Sequence, residues 1–195
     1  MQTSFNVNHA VSSFASSLNR IYQDNFQNAD GIQRLGKGAF SVVGNTLHYR
    51  PDLKEAVPTN NFVAVNRRMG EKYSARLDVK VSALSQVGAK RVSLVTDYHD
   101  EKNHMALIYN SNNREAQLIR YQNGNKQILG IKTLEANPGR EFSIQVDKNF
   151  NRQDFYIEGE KIFSFQDTAG TKKNGAFGFG ALDSEVSFRN LKISQ

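Results

Sequence analysis

Apolar positions change period once along this chain. From Val7 to Tyr22 they recur every three or four residues, at Val7, Val11, Phe14, Leu18, Ile21 and Tyr22, which is the period of an α-helix. Asn8, His9, Ser12, Ser13, Ser16, Ser17 and Asn19 stand between them, polar and nearly uncharged. The spacing predicts an amphipathic helix over about residues 7–22. Asp24–Asn25 and Asn28–Ala29–Asp30–Gly31 read as its exit and a turn. A polar face whose charge comes from Arg20 alone suits a helix covered on both sides better than one in open water. Val7, Val11, Phe14, Leu18 and Ile21 are therefore candidate docking residues, onto the chain's own body or onto another subunit.

Beyond residue 37 the period becomes two. Tyr73, Ala75, Leu77, Val79 and Val81 alternate with Ser74, Arg76, Asp78 and Lys80, a strand with one wet face. Val92, Leu94 and Thr96 alternate likewise, as do Phe142, Ile144 and Val146. Turn signals separate the runs: Asn110–Asn113, the Asn123–Gly124 pair of a tight hairpin, and Glu158–Gly159–Glu160. About twelve short strands without intervening helices predict an antiparallel two-sheet β-sandwich. The expected division is a helical arm over residues 1–26 and a sandwich over residues 27–195.

Composition agrees with this reading and narrows it. Thirteen Phe and seven Tyr favour half-buried pleated surfaces. With no cysteine there is neither a disulfide nor a thiolate metal site. No run reaches the length of a membrane-spanning helix. Met1–Asn28 lacks a basic start followed by an apolar run, so no secretory signal is expected. The expectation is then a cytoplasmic location or carriage in an assembled particle, the compartment itself being left open by the sequence. The net charge of +6 is scattered in pairs (Arg67–Arg68, Lys90–Arg91, Lys172–Lys173), which argues against a nucleic-acid footprint.

The order of these strands resembles the concanavalin A-like, laminin-G-like jelly rolls. The segments that carry the resemblance are Val95–Tyr109, with its Asp-containing turn, and Leu118–Gly124. Pro138–Val146 and Phe155–Phe163 follow, and the Gly-rich Gly175–Gly180 precedes the closing Val186–Ile193. Gly38–Leu47 resembles the opening strand pair, with Phe40 where such domains often carry Trp. The resemblance implies a jelly-roll sandwich from about residue 24 onward and carbohydrate as the default ligand class.

Function must be argued from a site, because this fold hosts lectins, glycosidases, adhesion modules and virion parts. Sandwich glycosidases carry Glu-x-Asp-x-Glu or Glu-x-Asp-x-x-Glu on one strand, so that alternate carboxylates flank a glycosidic bond. Neither pattern occurs here, and Glu158 and Glu160 straddle a turn. No catalytic residue is assigned.

The candidate ligand surface is polar and aromatic: Tyr98, His99, Asp100, Asn103, His104, Tyr109, Arg120 and Tyr121. Its tyrosines would stack on sugar faces and its Asp, Asn and Arg would hold hydroxyls. Asp97 and Asp100 are the candidates for a Ca²⁺ site, against the plainer reading that they cap a turn. No other cofactor is expected. Three readings remain at this point: a non-catalytic carbohydrate-recognition module, a structural component of a homo-oligomer or virion docked through its N-terminal helix, and a glycoside-processing enzyme.

Overall fold

In the computed structural model the described residues are 20–24, 26, 31–36, 38–50, 61–82, 90–135, 140–168 and 174–195. They form fifteen strands: β1 Arg20–Asp24, β2 Ile32–Gly36, β3 Ala39–Val43, β4 Thr46–Arg50, β5 Asn61–Arg68, β6 Lys72–Val81, β7 Arg91–Asp100 and β8 Asn103–Asn110, followed by β9 Glu115–Gln122, β10 Asn125–Thr133, β11 Glu141–Asn149, β12 Arg152–Ile157, β13 Glu160–Gln166, β14 Ala176–Ala181 and β15 Val186–Ser194. All pair antiparallel in two sheets. Sheet A runs β13-β12-β11-β6-β15-β4-β3, with β1 also on β15, and sheet B runs β10-β9-β8-β7-β14-β5-β2.

The two-residue period places one core between the sheets. Leu77 and Val79 of β6, Ile144 and Val146 of β11, and Phe188 of β15 face Leu94, Leu107, Leu118 and Phe179 from sheet B. Each such side chain contributes about 1.5–3 kcal/mol on burial. Phe26 is part of the same core, its ring edge-on to Phe179 at 6.1 Å. The sandwich therefore includes Arg20–Asp24 and Phe26 among the described residues.

Turn chemistry fixes the hairpins. Gly44–Asn45, Asn123–Gly124 and Glu158–Gly159 each have positive φ at both positions (54° and 62°, 52° and 82°, 51° and 78°). That is the type I′ pattern, whose twist matches the flanking strands.

One expectation is corrected. Arg20–Asp24, where the last turn of the expected helix falls with Ile21 and Tyr22, is strand β1, paired with β15 from Leu191 to Ser194. The reason is tertiary. β4 pairs with β15 only as far as Phe188, and β15 is irregular between Arg189 and Lys192. Its remaining edge offers open backbone groups that β1 satisfies. Residues 7–19, with Val7, Val11, Phe14 and Leu18, lie outside the described residues.

Candidate functional site

The site begins with a β-bulge. Val92 and Leu94 of β7 face the core, and Thr96 follows in phase, bonding Gln153 Oε1 of β12 at 2.7 Å. Simple alternation would send Asp97 outward and Tyr98 inward. Instead β7 shifts register between Thr96 and Asp100 against β8, and Asp97 takes a φ of 50°. Asp is among the few non-glycine residues that tolerate this left-handed region. Asp97 thereby turns inward, pairing with the buried Lys148 ammonium of β11 and accepting from Gln153 Nε2 at 2.8 Å. Tyr98 is delivered to the outer face of sheet B. Bulges commonly re-aim a side chain in this way.

On that face rings from four strands form a row. Phe62 of β5 meets Tyr98 edge-on, centroids 4.9 Å apart. Tyr98 is tilted against His104 of β8 at 5.8 Å. His104 stacks on Tyr121 of β9 at 4.6 Å and 18°. Phe62 and His104 are buried within the row, whereas Tyr98 and Tyr121 keep part of their surface open. Burial lowers the His104 pKa, outweighing its contact with the Asp100 carbonyl, so the ring is neutral and stacks as an aromatic. Burial likewise raises the pKa of both tyrosine hydroxyls, which remain protonated donors.

Beside Tyr98 lies a groove of about 380 Å³, lined by Gln33, Leu35, Arg68, His99, Asn174 and Ala176 among others. It combines an aromatic wall with the Arg68 guanidinium, a donor, and with amide and imidazole groups, which can both donate and accept hydrogen bonds.

The structure therefore divides the residues expected from sequence. Tyr98, His99, His104 and Tyr121 come together on or beside the ring row. Asp100 and Asn103 form the adjoining β7–β8 turn: Asp100 Oδ1 accepts from Lys102 N at 2.8 Å and from Asn103 Nδ2 at 2.9 Å. Asn103 Oδ1 in turn accepts from Asn123 N at 3.1 Å, tying this turn to the next hairpin. Tyr109 and Arg120 belong elsewhere. Tyr109 is in the core, edge-on to Phe142 at 5.1 Å, and its burial pushes the hydroxyl pKa up to about 12. Arg120 pairs across β8 with Met105, a core position, and approaches Asp167 at 3.6 Å. Both were grouped by sequence proximity, and the strand phase turns them to the other face.

Of the residues proposed for Ca²⁺, both carboxylates have partners within the protein. Asp97 is neutralised by Lys148 inside the sandwich, while Asp100 is committed to its turn. Among the described residues no group of three or more His, Cys, Asp or Glu side chains gathers.

Sequence reasoning missed Phe62, Gln33, Arg68 and Asn174. They come from β5, β2 and the approach to β14, and only the neighbouring strands β7 and β14 bring them to Tyr98. It also missed a polar stripe on the outer face of sheet A. There Ser143, Gln145 and Asp147 occupy alternate positions of β11, and Asp147 lies opposite Asp154 of β12. Asp147 accepts from Ser74 at 2.7 Å and Gln145 at 2.8 Å. Burial would raise the Asp154 pKa, but hydrogen bonds from Ser164, Arg152 and Lys161 outweigh it and the net shift is downward. A lowered carboxyl is the opposite of what a glycosidase general acid needs.

No family model matches the sequence, and no curated protein matches it. Solved structures do match in fold. The carbohydrate-binding module CBM66 from Bacillus subtilis superposes with a TM-score of 0.65 at 13% identity, over 85% of this chain and 96% of that one. A Bacillus subtilis protein of unknown function with a galectin-like fold gives 0.65 at 12% identity, over 91% and 96%. The β-glucanase of Bacillus licheniformis gives 0.62 at 11% identity, over 89% and 97%. At these identities the likeness is one of fold: the chain is an antiparallel jelly-roll sandwich of the concanavalin-like kind.

Proposed function

We propose that this protein is a non-catalytic carbohydrate-recognition module whose ligand lies on the outer face of sheet B. The observation that carries the reading is the row Phe62–Tyr98–His104–Tyr121, opening at Tyr98 into a groove with Gln33, Arg68, His99 and Asn174. Sugars present apolar faces of C–H groups and rims of hydroxyls. Partly open tyrosines above a supporting stack offer the first a platform, and the groove's amide and guanidinium groups offer the second donors and acceptors. The fold is shared with a carbohydrate-binding module and with glycoside hydrolases, which makes this ligand class plausible without specifying the sugar.

The test is a glycan panel probed with the full chain and with Tyr98→Ala, Tyr121→Ala and Arg68→Ala. Binding to one glycan class is expected. Each substitution should weaken it by about three- to tenfold, the worth of one stacking or hydrogen-bonding contact. EDTA should leave binding unchanged, because Asp97 and Asp100 are engaged within the protein. Silence across the panel, or binding indifferent to all three substitutions, would remove the reading.

A further inference from the structure

The groove beside Tyr98 holds a cation without an acid. Among the described residues that line it there is a guanidinium, that of Arg68, and no carboxylate. Other arginines of sheet B are matched. Arg91 Nη2 donates to Asp183 Oδ1 at 2.9 Å, Arg120 approaches Asp167 at 3.6 Å, and Arg114 Nη1 donates to Glu135 O at 3.0 Å. Among the described residues, the side chains of Arg68, Gln33 and Asn174 have no hydrogen-bond or ion-pair partner.

Three neighbouring strands set the guanidinium opposite the ring. Phe62 and Ala64 of β5 belong to the outer apolar cluster and Val63 and Val65 to the core. Arg68 keeps the phase of Phe62 and Ala64 and is exposed on the outer face. Ala176 of β14 pairs with Arg68 on one side and with Tyr98 on the other, so the two flank it about 10 Å apart at Cα. The lining between them is small: Ala64, Gly175 and Ala176. Both walls are held by the same stretch of backbone. Met69 N donates to Gly175 O at 3.1 Å, and Gly175 lies against the backbone of Asp97 and Tyr98.

We propose that this groove selects a sugar that bears a carboxylate, a hexuronate, with its ring on Tyr98 and its carboxylate on Arg68. The inference rests on the carbohydrate reading above and names the class of sugar. A guanidinium matches a planar carboxylate with two parallel N–H···O bonds, and such charge-assisted bonds are stronger than neutral ones. The unpartnered amides of Gln33 and Asn174 are then left for ring hydroxyls. The carboxylates nearest Tyr98, Asp100 and Glu101, belong to the β7–β8 turn and not to the groove lining. Asp100 accepts there from Lys102 N and Asn103 Nδ2.

The test measures affinities of the full chain, in about 0.1 M salt, for oligosaccharides of galacturonate, glucuronate and mannuronate. Each is paired with its neutral counterpart, in which the carboxyl is reduced to a primary alcohol. One uronate should bind at least about tenfold more tightly than its reduced form. Arg68→Gln should weaken the uronate about tenfold and leave the reduced form within about twofold, abolishing the preference. Lys192→Gln removes the same charge from an exposed position on sheet A. It should keep the preference, which separates the groove from the overall charge of +6.

Equal affinity for the uronate and its reduced form overturns the proposal. So does a preference that survives Arg68→Gln, or one that Lys192→Gln removes as well. Binding of a neutral glycan that depends on Tyr98 and ignores the carboxylate sinks this inference and leaves the recognition reading standing. Silence across acidic and neutral glycans alike removes both.

Discussion

Gly175 shows how narrowly single residues hold the site. A Cβ built there would lie 2.3 Å from the Asp97 carbonyl carbon and 2.5 Å from Tyr98 N, so only glycine lets β14 approach the bulge. Gly175→Ala should cost about 1–3 kcal/mol, the usual range for overpacking, measured as a lower urea midpoint. Glycan affinity should fall with it, because Tyr98 is displaced. Lys148 carries a larger burden. Its side chain is 2% exposed and its charge is matched by Asp97. Lys148→Ala would leave that carboxylate uncompensated in the interior, a loss of about 3–5 kcal/mol to be read by the same denaturation.

His104 adds a pH dependence. Its folded-state pKa lies below the ordinary value of 6.5 because of burial, so on acidification the unfolded chain takes up the proton first. Its contribution to stability is present above about pH 6.5 and declines as pH falls from there towards the folded pKa. His104→Phe keeps a ring in the stack and should flatten the stability profile below about pH 6.5. A profile identical to the parent's would contradict the buried, neutral imidazole.

Elements were legible wherever pattern and partner agree. β6, with its clean alternation, and the Asn123–Gly124 hairpin stand where the spacing places them. Two features were not legible. The bulge in β7 leaves no mark in composition, since Thr96, Asp97 and Tyr98 read as ordinary alternation, yet it decides which face receives Tyr98. β1 was masked by a helical period running through Ile21 and Tyr22, and the open edge of β15 overrides that local preference. The same lesson explains Tyr109 and Arg120. Residues close in sequence on β8 and β9 face opposite sides of sheet B, and a cluster drawn from sequence proximity mixes the two.

At the scale of the molecule, the jelly roll leaves two outer faces of different character. Sheet A presents the hydrogen-bonded stripe of Ser74, Gln145, Asp147 and Asp154, while sheet B presents a ring row and an apolar cluster. Strand order alone conveys the fold. It does not convey this asymmetry, which depends on Phe62 and Tyr98 meeting from strands far apart in sequence. Basic side chains on the surface are in part paired with acids, as in Lys80–Glu141 and Lys132–Glu160.

The central claim is that the ring row of sheet B recognises carbohydrate. The most direct measurement is the affinity of the full chain and of the Tyr98→Ala/Tyr121→Ala double variant for glycans selected from an immobilised panel. Reproducible binding to one glycan class, weakened by at least about tenfold in a double variant that unfolds at the same temperature as the parent, is the predicted result. Binding that survives the loss of both rings, or no binding to any glycan, would contradict the account.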